Sequence, residues 1–365
     1  MASLANSEIQ FTRLPHPEPV AADVRAEILA NPGFGTNFSD HMVSIDWTEG
    51  RGWHDATIGP RRPLELDPAC AVLHYAQEIF EGLKAYKRAD GGIALFRPEA
   101  NAARFNQSAQ RLAMPELPEE TFIESIRQLV QIDRDWIPTG EGSSLYLRPF
   151  MFASEAFLGV RPAKQYKYLV IASPAGNYFK SGAPAVSIWV SDYTRAAPGG
   201  TGAAKCGGNY AASLVPQAEA IERGHDQVVF LDAAEHKWIE ELGGMNLYFV
   251  FDDGTLVTPA LTGTILPGIT RDSLLALARD EGLTVREERY SLDQWREDAA
   301  SGRLIEAFAC GTAAVVTSVG KVAGRDGEFT IGSGGPGQLT QKLKNRLVAI
   351  QRGEAEDPHG WVMKL

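Results

Sequence analysis

The chain has 365 residues, of which 44% are hydrophobic and 22% are charged, a composition typical of a globular protein long enough for two domains. Asp and Glu number 46 against 35 Lys and Arg, so the net charge is −11. This charge argues against a protein that binds nucleic acid or an anionic membrane.

The sequence shows no targeting or membrane segment. No long apolar run follows a basic N-terminal stretch, and none approaches the roughly 20 apolar residues that a membrane span needs. We therefore expect a cytoplasmic protein without membrane contacts. The three cysteines, Cys70, Cys206 and Cys310, are far apart and odd in number, which favours reduced thiols. The histidines lack metal-ligand spacing, so no metal site is expected.

In chain order, the proline-rich first 40 residues are predicted to form an arm over the surface. The segment PEANAARFNQSAQRL (98–112) predicts a helix, because Pro98 suits a first turn and apolar residues recur at helical spacing. Arg104 lies off this apolar stripe and is expected to be solvated. EETFIESIRQLVQI predicts another helix. Alternating or β-rich runs predict strands in HMVSIDW, SSLYLRPFMFA and YKYLVIASP.

The segment SPAGNYFKSGAPA (173–185) is rich in turn-forming residues. It predicts an interdomain loop at 174–185 between an N-terminal domain (1–173) and a C-terminal domain (186–365). In YAASLVPQAEAIERG, Pro216 predicts a kinked helix or a later helix start. Further helices are predicted in GITRDSLLALARDEG and GPGQLTQKLKNRLVAIQRGEAED. Further strands are predicted in AVSIWVSDYTR, DQVVFLDA, NLYFVFDDGTLVTP, LTVREERYS and IEAFACGTAAVVTSVGKV. The overall prediction is an α+β fold.

The segment GGTGAAKCGGNY (199–210) places Lys205 among five glycines. A surface lysine needs no such setting, because its flexible stem carries the ammonium into water from most exposed positions. Glycines on both sides would let a planar cofactor lie against the backbone, where a neutral lysine can form a Schiff base. Tyr210 could then donate to a ring oxygen. A plain glycine-rich turn with an exposed lysine is the alternative.

Two turns could bind an anion. Gly268 opens a predicted helix whose first amides, from Ile269 and Thr270, lack intrahelical partners, and helix N-termini bind phosphate readily. In ACGTAAVV, the hydroxyl of Thr312 and the amides of Thr312 and Ala313 could do the same. Each turn could equally be a structural connection.

Two adjacent acids lie in WIEELGGMNLYF. A cofactor ring that withdraws electrons needs a carboxylate beside its ring nitrogen. On a regular strand Glu240 and Glu241 face opposite sides, so one acid at most points into a pocket. The other acid is expected to be solvated.

From Glu241 onward, ELGGMNLYFVFDDGTLVTPALTGTILPGITR resembles the signature of the class IV aminotransferases: Glu, a small residue two positions later, Asn246, an aromatic, L-x-T and a closing L-x-G-I-x-R. The resemblance to branched-chain-amino-acid aminotransferases extends over roughly residues 35–350. The segments that carry it are FSDHMVSIDW, HYAQEIFEGLKAYK, LFRPEANAARFNQSAQRL, SLYLRPF and KCGGNYAASLVPQAEAIERG.

This resemblance implies a two-domain fold type IV enzyme of the D-amino acid aminotransferase type, with a smaller N-terminal α/β domain and a larger C-terminal pseudo-barrel. It implies that Lys205 holds pyridoxal 5'-phosphate and acts as general base. Glu241 would pair with the ring nitrogen and Tyr210 with the ring oxygen. The implied phosphate ligands are Arg104, Gly268, Ile269, Thr270 and Thr312.

The resemblance also implies transamination of leucine, isoleucine and valine with 2-oxoglutarate by a ping-pong route, in a homodimer whose site a partner loop completes. The substrate α-carboxylate would lie near the amides of Thr312 and Ala313. The implied side-chain pocket comprises Phe34, Tyr75, Phe80, Tyr146, Arg148 and Tyr178, and the Tyr146 and Arg148 side chains share one strand face.

Two alternatives stay open within the enzyme class, a D-amino acid aminotransferase and an aminodeoxychorismate lyase. A non-catalytic phosphate-cofactor binding protein is a third. The chain departs from mammalian relatives at Ala314 and Thr317, which replace a redox-active C-x-x-C, so thiol switching of that kind is not expected. Gly244 stands where those relatives have threonine, which bears on fine specificity.

Overall fold

The computed structural model describes residues 9–176 and 185–365, and the chain divides into two compact units. The first unit contains the described residues up to 176 together with Asp357–Leu365, and the second contains 185–356. The sequence analysis placed the residues up to 365 in the C-terminal domain. Asp357–Leu365 join the first unit instead, because a strand within them pairs with its sheet.

The elements of both units follow in chain order. Those of the first unit are β1 (Thr12–Arg13), α1 (Ala22–Ala30), β2 (His41–Thr48), β3 (Gly52–Pro60), α2 (Ala71–Tyr75), β4 (Glu78–Phe80), β5 (Leu83–Lys87), β6 (Ile93–Phe96), α3 (Pro98–Arg111), α4 (Glu119–Ile132), a 3-10 turn (Arg134–Trp136), β7 (Ser144–Ala153) and β8 (Gln165–Ala175). Those of the second unit are β9 (Val186–Val190), α5 (Gly207–Ala211), α6 (Leu214–Glu222), β10 (Gln227–Leu231), β11 (Ile239–Leu242), β12 (Met245–Phe251), β13 (Thr255–Thr258), α7 (Ile269–Asp280), β14 (Thr284–Glu287), α8 (Leu292–Ser301), β15 (Leu304–Gly311), β16 (Val315–Gly324), β17 (Gly327–Thr330) and α9 (Gln338–Arg352). The strand β18 (Val362–Lys364) returns to the first unit.

The first unit is built on one sheet, with the order β1-β3-β2-β8-β7-β5-β6-β18 and β4 paired to β7 among the described strands. Helices α3 and α4 pack on one face, where Phe105 and Phe122 contact Tyr168 of β8. Tyr168 pairs with Met151, and side chains alternate along a strand, so Tyr146 and Arg148 lie on the opposite face. This second face carries the predicted substrate residues.

The edge strand β6 of this sheet is covered by β18. The pairing is antiparallel, with Val362 opposite Phe96. Trp361 packs edge-on against the Phe96 ring with 5.7 Å between ring centroids. Every residue of β6 is buried, so β18 shields an apolar edge that would otherwise face water.

The second unit contains a closed barrel. Its described strands run in the order β11-β10-β9-β16-β15-β12, and β11 pairs with β12 to close the ring. Strands β13 and β14 extend the sheet beyond β12, and β17 pairs with β16. In its core the Phe249 ring contacts the rings of Tyr290 and Trp295. The barrel agrees with the pseudo-barrel that the resemblance implies.

Most predicted helices and strands are confirmed, and the exceptions have local causes. Helix α3 ends one residue before the predicted limit. The segment around Pro216 forms two helices, and Pro216 lies in the first turn of α6, where no amide donor is needed. Residues 174 and 175, the first two of the predicted interdomain loop, continue β8. The predicted arm contains α1, and none of the residues of α1 is buried.

Two absences hold for the described part of the chain. No helix there combines the length and apolar character needed to cross a bilayer. The three cysteines all fall within it and are buried free thiols.

Candidate active site

Lys205 lies at the end of a loop that leads into the short helix α5. Its Nζ donates a hydrogen bond to Tyr210 Oη at 2.8 Å. Asn209, only 5% exposed, holds this loop in place, because its Nδ2 donates to the carbonyls of Thr201 and Ala204 at 2.9 and 2.8 Å. The sequence analysis did not predict this role for Asn209. Tyr210 therefore positions the Lys205 amine, and Asn209 holds the backbone of its loop.

The glycines around Lys205 have structural roles that differ from the predicted one. The sequence analysis assigned all five to close approach by a cofactor. A Cβ at Gly202 would lie 2.4 Å from the Thr264 carbonyl oxygen, and Gly199 has a φ of +74°. Both positions need glycine for the fold itself. Gly208 is different, because a Cβ there would meet no atom within 4 Å.

Glu241 is a buried acid of the second unit that is held by an ion pair. It is 2% exposed, and its Oε1 accepts from Arg195 Nη2 at 2.8 Å and from the Leu266 amide. Burial raises the pKa of Glu241, and the charge of Arg195 opposes that rise. Among the described residues nothing donates to Oε2, which leaves this oxygen able to accept a further bond. The sequence analysis missed Arg195, although its place shortly after the strand β9 offered a weak signal.

Glu240 is not solvated, contrary to the prediction. It is 5% exposed, and its Oε1 accepts from Thr264 Oγ1 at 2.5 Å. The cause is a β-bulge: Phe230 pairs with Glu241 and Leu231 with Ile239, so Glu240 is the extra residue. A bulge breaks the alternation on which the prediction depended. Both acids therefore bind the same 262–266 segment.

A pocket in the second unit brings several of these groups together. It is lined by Arg195, Ala204, Asn209, Tyr210, Glu241, Gly243, Gly244 and Leu266. A buried carboxylate with one available acceptor fits a protonated ring nitrogen, and the Tyr210 hydroxyl beside Lys205 fits a ring oxygen. Gly243 and Gly244 keep this part of the pocket wall free of side chains. A Cβ at Gly244 would lie 3.4 Å from the Tyr210 ring. The residues present fit pyridoxal phosphate.

The predicted anion turns lie at the same end of the barrel. Helix α7 begins at Ile269 after the N-cap Gly268, and no side chain of the described residues caps it. A Cβ at Gly268 would lie 2.0 Å from Asn246 Oδ1, and Asn246 pairs with Cys310 of β15. The helix start therefore adjoins the strand that leads into the 312–314 turn.

This second turn, which holds Thr312 and Ala313, is strained. Val315 follows it with a φ of +61°, a left-handed conformation that costs a β-branched residue roughly 1–2 kcal/mol. Strain of this kind persists only where the surrounding structure fixes the backbone. The role of the Thr312 and Ala313 amides toward a ligand stays a prediction.

In the first unit, four predicted substrate residues form one cluster. Arg148 Nη2 donates to Tyr146 Oη at 3.2 Å, and its guanidinium lies 4.7 Å from the Phe80 ring centroid. Phe34 packs edge-on against Tyr146 at 5.3 Å. Tyr75 is not in contact with this cluster in the described structure; it lies 6.5 Å from Phe157 and is 40% exposed. Tyr178 lies outside the described residues.

Arg104 is buried, although its position off the apolar stripe of α3 favours a solvated side chain; its role as a phosphate ligand stays a prediction. It is 6% exposed, and its Nε and Nη2 donate to the two carboxylate oxygens of Glu81 at 2.7 and 2.8 Å. Glu81 is fully buried, so the pair is bidentate and fixed. The sequence analysis missed Glu81. Its position between Phe80 and Gly82, inside an apolar run, was the available signal.

The comparisons with known proteins agree on one family. The amino-transferase class IV model matches residues 78–322. The branched-chain-amino-acid aminotransferase of Mycolicibacterium smegmatis is 59% identical over 362 residues, which cover 98% of each chain. That of Mycobacterium tuberculosis H37Rv is 58% identical and covers 99% of this chain and 100% of its own.

Solved structures show the same relationship. Branched-chain amino acid aminotransferase of Escherichia coli has a TM-score of 0.73 and 31% identity, covering 88% of this chain and 98% of its own. The T.th. enzyme of the same name, complexed with N-(5'-phosphopyridoxyl)-L-glutamate, has a TM-score of 0.72 and 28% identity over the same shares. A second structure of the T.th. enzyme, complexed with 4-methylvaleric acid, has a TM-score of 0.72 and 29% identity over the same shares.

The chain therefore belongs to the class IV aminotransferases and, within them, to the branched-chain-amino-acid aminotransferases. It is a fold type IV enzyme that transfers amino groups, and its cofactor is pyridoxal phosphate. The family and fold that the signature implied are thereby confirmed.

Proposed function

We propose that the enzyme transfers the amino group of L-leucine, L-isoleucine and L-valine to 2-oxoglutarate by a ping-pong route, as a homodimer. The observation that carries the proposal is the Phe34, Phe80, Tyr146 and Arg148 cluster. It offers aromatic surface to an aliphatic side chain and a guanidinium to the second carboxylate of glutamate. The ligands named for the T.th. enzyme, a phosphopyridoxyl-glutamate and 4-methylvaleric acid, show the same two chemistries.

Pyridoxal phosphate, when bound, supplies an aldehyde that captures amines and a ring that withdraws electrons. Lys205 would hold that aldehyde through Nζ and then carry a proton to and from the substrate Cα. The 2.8 Å bond to Tyr210 Oη orients Nζ for this transfer. Glu241 Oε2 would hold the proton on the ring nitrogen, while Arg195 and the Leu266 amide fix the carboxylate through Oε1.

The anion-binding groups would orient cofactor and substrate. The first amides of α7, at Ile269 and Thr270, and the Thr312 hydroxyl would hold the phosphate, with Arg104 as a further ligand. The Thr312 and Ala313 amides would hold the substrate α-carboxylate. Within the first unit, Glu81 fixes the guanidinium plane of Arg104.

The test compares Lys205→Ala with Lys237→Ala, an exposed lysine whose ammonium contacts only the Trp238 ring in the described structure. Each protein is loaded with pyridoxal phosphate, reduced with borohydride and mapped by mass spectrometry. We expect a labelled peptide at position 205 in the wild type and in Lys237→Ala, and none in Lys205→Ala. A labelled lysine elsewhere would contradict the assignment.

Substrate choice is tested by a single half-reaction without 2-oxoglutarate. L-Leucine should yield about one equivalent of its 2-oxo acid per bound cofactor, and added 2-oxoglutarate should then restore turnover. Reaction with D-leucine alone would instead indicate a D-amino acid aminotransferase. Oligomeric state is checked on the same preparation by light scattering, which should report twice the 39.6 kDa chain mass.

A further inference from the structure

The bulge in β11 places a second buried acid beside the proposed ring carboxylate. Glu240 and Glu241 are 5% and 2% exposed, yet only Glu241 is bonded to a cation, Arg195. Glu240 accepts one bond, from the Thr264 hydroxyl, and its Oε2 has no partner among the described residues. Two buried carboxylates with one guanidinium do not balance in charge.

Burial is the main cause that favours the neutral form of Glu240. Glu241 and Asp232 are the nearby acids, and Asp232 is held charged by four backbone amides that lower its pKa to about 2. Burial raises the pKa of Glu240, while the Thr264 bond and the charge of Arg195 oppose that rise. A neutral acid also explains the orphan oxygen, because an unpartnered hydroxyl is far cheaper to bury than an unpartnered carboxylate.

Thr264 connects Glu240 to the Lys205 loop and to the segment that bonds Glu241. Its hydroxyl bonds Glu240, and its carbonyl accepts from Arg195 Nη2 at 2.5 Å. Its backbone packs directly on Gly202 of the Lys205 loop, where a Cβ would lie 2.4 Å from the carbonyl oxygen and 2.7 Å from Cα. Two residues further on, the Leu266 amide bonds Glu241. A shift of Thr264 would therefore displace both the Lys205 loop and Glu241.

We propose that Glu240 is a positioning residue that acts as a neutral carboxylic acid and, through Thr264, holds the 262–266 segment against the Lys205 loop and Glu241. Thr262 extends the same chain, since its Oγ1 lies 2.9 Å from Thr264 Oγ1. With the Thr264 proton directed to Glu240, Thr262 is the donor to Thr264. The inference rests on the proposed roles of Lys205 and Glu241.

The test measures cofactor binding and not turnover. Cofactor-free wild type, Glu240→Gln, Glu240→Ala, Thr264→Val and Thr264→Ser are titrated with pyridoxal phosphate. Loss of one buried hydrogen bond predicts a Kd raised roughly three- to tenfold in Glu240→Ala and Thr264→Val. Glu240→Gln and Thr264→Ser keep the acceptor and the hydroxyl, and we expect their Kd values within about twofold of wild type.

The matched control is Thr258→Val, which removes another buried hydroxyl of the second unit, bonded to the Leu247 carbonyl. It should lower stability and leave the Kd unchanged. The second readout is the pH midpoint of the visible absorption band of the loaded proteins. Glu240→Gln should leave it within about 0.3 unit of wild type, whereas Glu241→Gln should move it by more than about 1 unit.

Three results would overturn the inference: a Kd in Glu240→Gln raised as far as in Glu240→Ala, a displaced pH midpoint in Glu240→Gln, or equal losses of binding in Thr258→Val and Thr264→Val. The first two would show that a charged Glu240 is needed, and the third that the barrel is merely weakened. Normal binding and midpoint in Glu241→Gln would instead contradict the proposed function, so the two failures are distinguishable.

Discussion

Arg195→Met tests how strongly the second unit depends on one buried ion pair. The substitution replaces the guanidinium by an apolar side chain of similar length. It removes Nη2, which bonds Glu241 at 2.8 Å, the Thr264 carbonyl at 2.5 Å and the Gly202 carbonyl at 3.3 Å. Removing one partner of a buried pair costs about 3–5 kcal/mol. Each stranded carbonyl adds roughly 1 kcal/mol. We therefore expect at least about 5 kcal/mol less stability at pH 8.

The assay is urea unfolding of the cofactor-free protein by far-UV circular dichroism, with hydrogen exchange of the β10–β12 amides to assign the transition to the second unit. The control is Arg289→Met. Arg289 and its partner Glu235 have side chains 58% and 53% exposed, so its loss should cost less than about 1 kcal/mol. A similar, small loss in both variants would refute the reasoning.

The pH dependence gives a second check. Burial raises the pKa of Glu241 above its ordinary 4.5, so the folded state binds this proton more tightly than the unfolded state does. Loss of Arg195 removes an opposing charge and raises the folded pKa further. The loss in free energy of unfolding of Arg195→Met should therefore be greatest at pH values above the folded-state pKa of Glu241. It should become smaller as the pH falls toward 4.5. Adding Glu241→Gln should recover most of the deficit at pH 8, and a double variant as unstable as Arg195→Met would contradict the pairing.

Three further predictions concern packing and burial. Gly202→Ala should cost about 1–3 kcal/mol in urea unfolding because its Cβ would overlap a backbone carbonyl, whereas Gly208→Ala, with open space around it, should cost nothing measurable. Gly268→Ala, with its Cβ 2.0 Å from Asn246 Oδ1, should displace the start of α7 and raise the pyridoxal phosphate Kd at least about tenfold; an unchanged Kd would argue against a phosphate site there. Burial lowers the pKa of Lys84 from 10.5 to about 8, so the folded state is penalised by up to about 3 kcal/mol below pH 8. Because this penalty fades as the lysine loses its proton, the effect of Lys84→Met on the free energy of unfolding should be more favourable at pH 7 than at pH 10.5 by up to about 3 kcal/mol. An effect that does not change with pH would contradict this account.

Local patterns were sufficient for much of the fold. The 3.6-residue spacing and the proline of α3 defined that helix to within one residue. The glycine-rich setting singled out Lys205, and the family signature singled out Glu241 and the N-terminus of α7. These features depend on residues close together in the chain. The structure brings Lys205, Tyr210 and Glu241 together at one end of the barrel; their roles toward the cofactor stay predictions.

Most of the errors at the site arose where distant segments decide the outcome. Glu240 is buried because β11 pairs with β10 one residue out of register, which no pattern within WIEELGG specifies. Arg195 meets Glu241 across 46 positions of sequence, and Arg104 meets Glu81 across 23.

The helix α8 was missed even though Ser291 and Gln294 form a capping box, a local signal that was available.

The return of β18 to β6 bears on how the polypeptide is made. Translation delivers β6 early, but its cover arrives only after the entire barrel has been synthesised. During that interval an apolar strand with unpaired amides and carbonyls is open to neighbouring nascent chains, the situation in which edge-to-edge aggregation begins. Disrupting this late pairing, for instance by a proline at Met363 opposite Leu95, should therefore lower the soluble yield in cells far more than it changes the properties of the molecules that do mature.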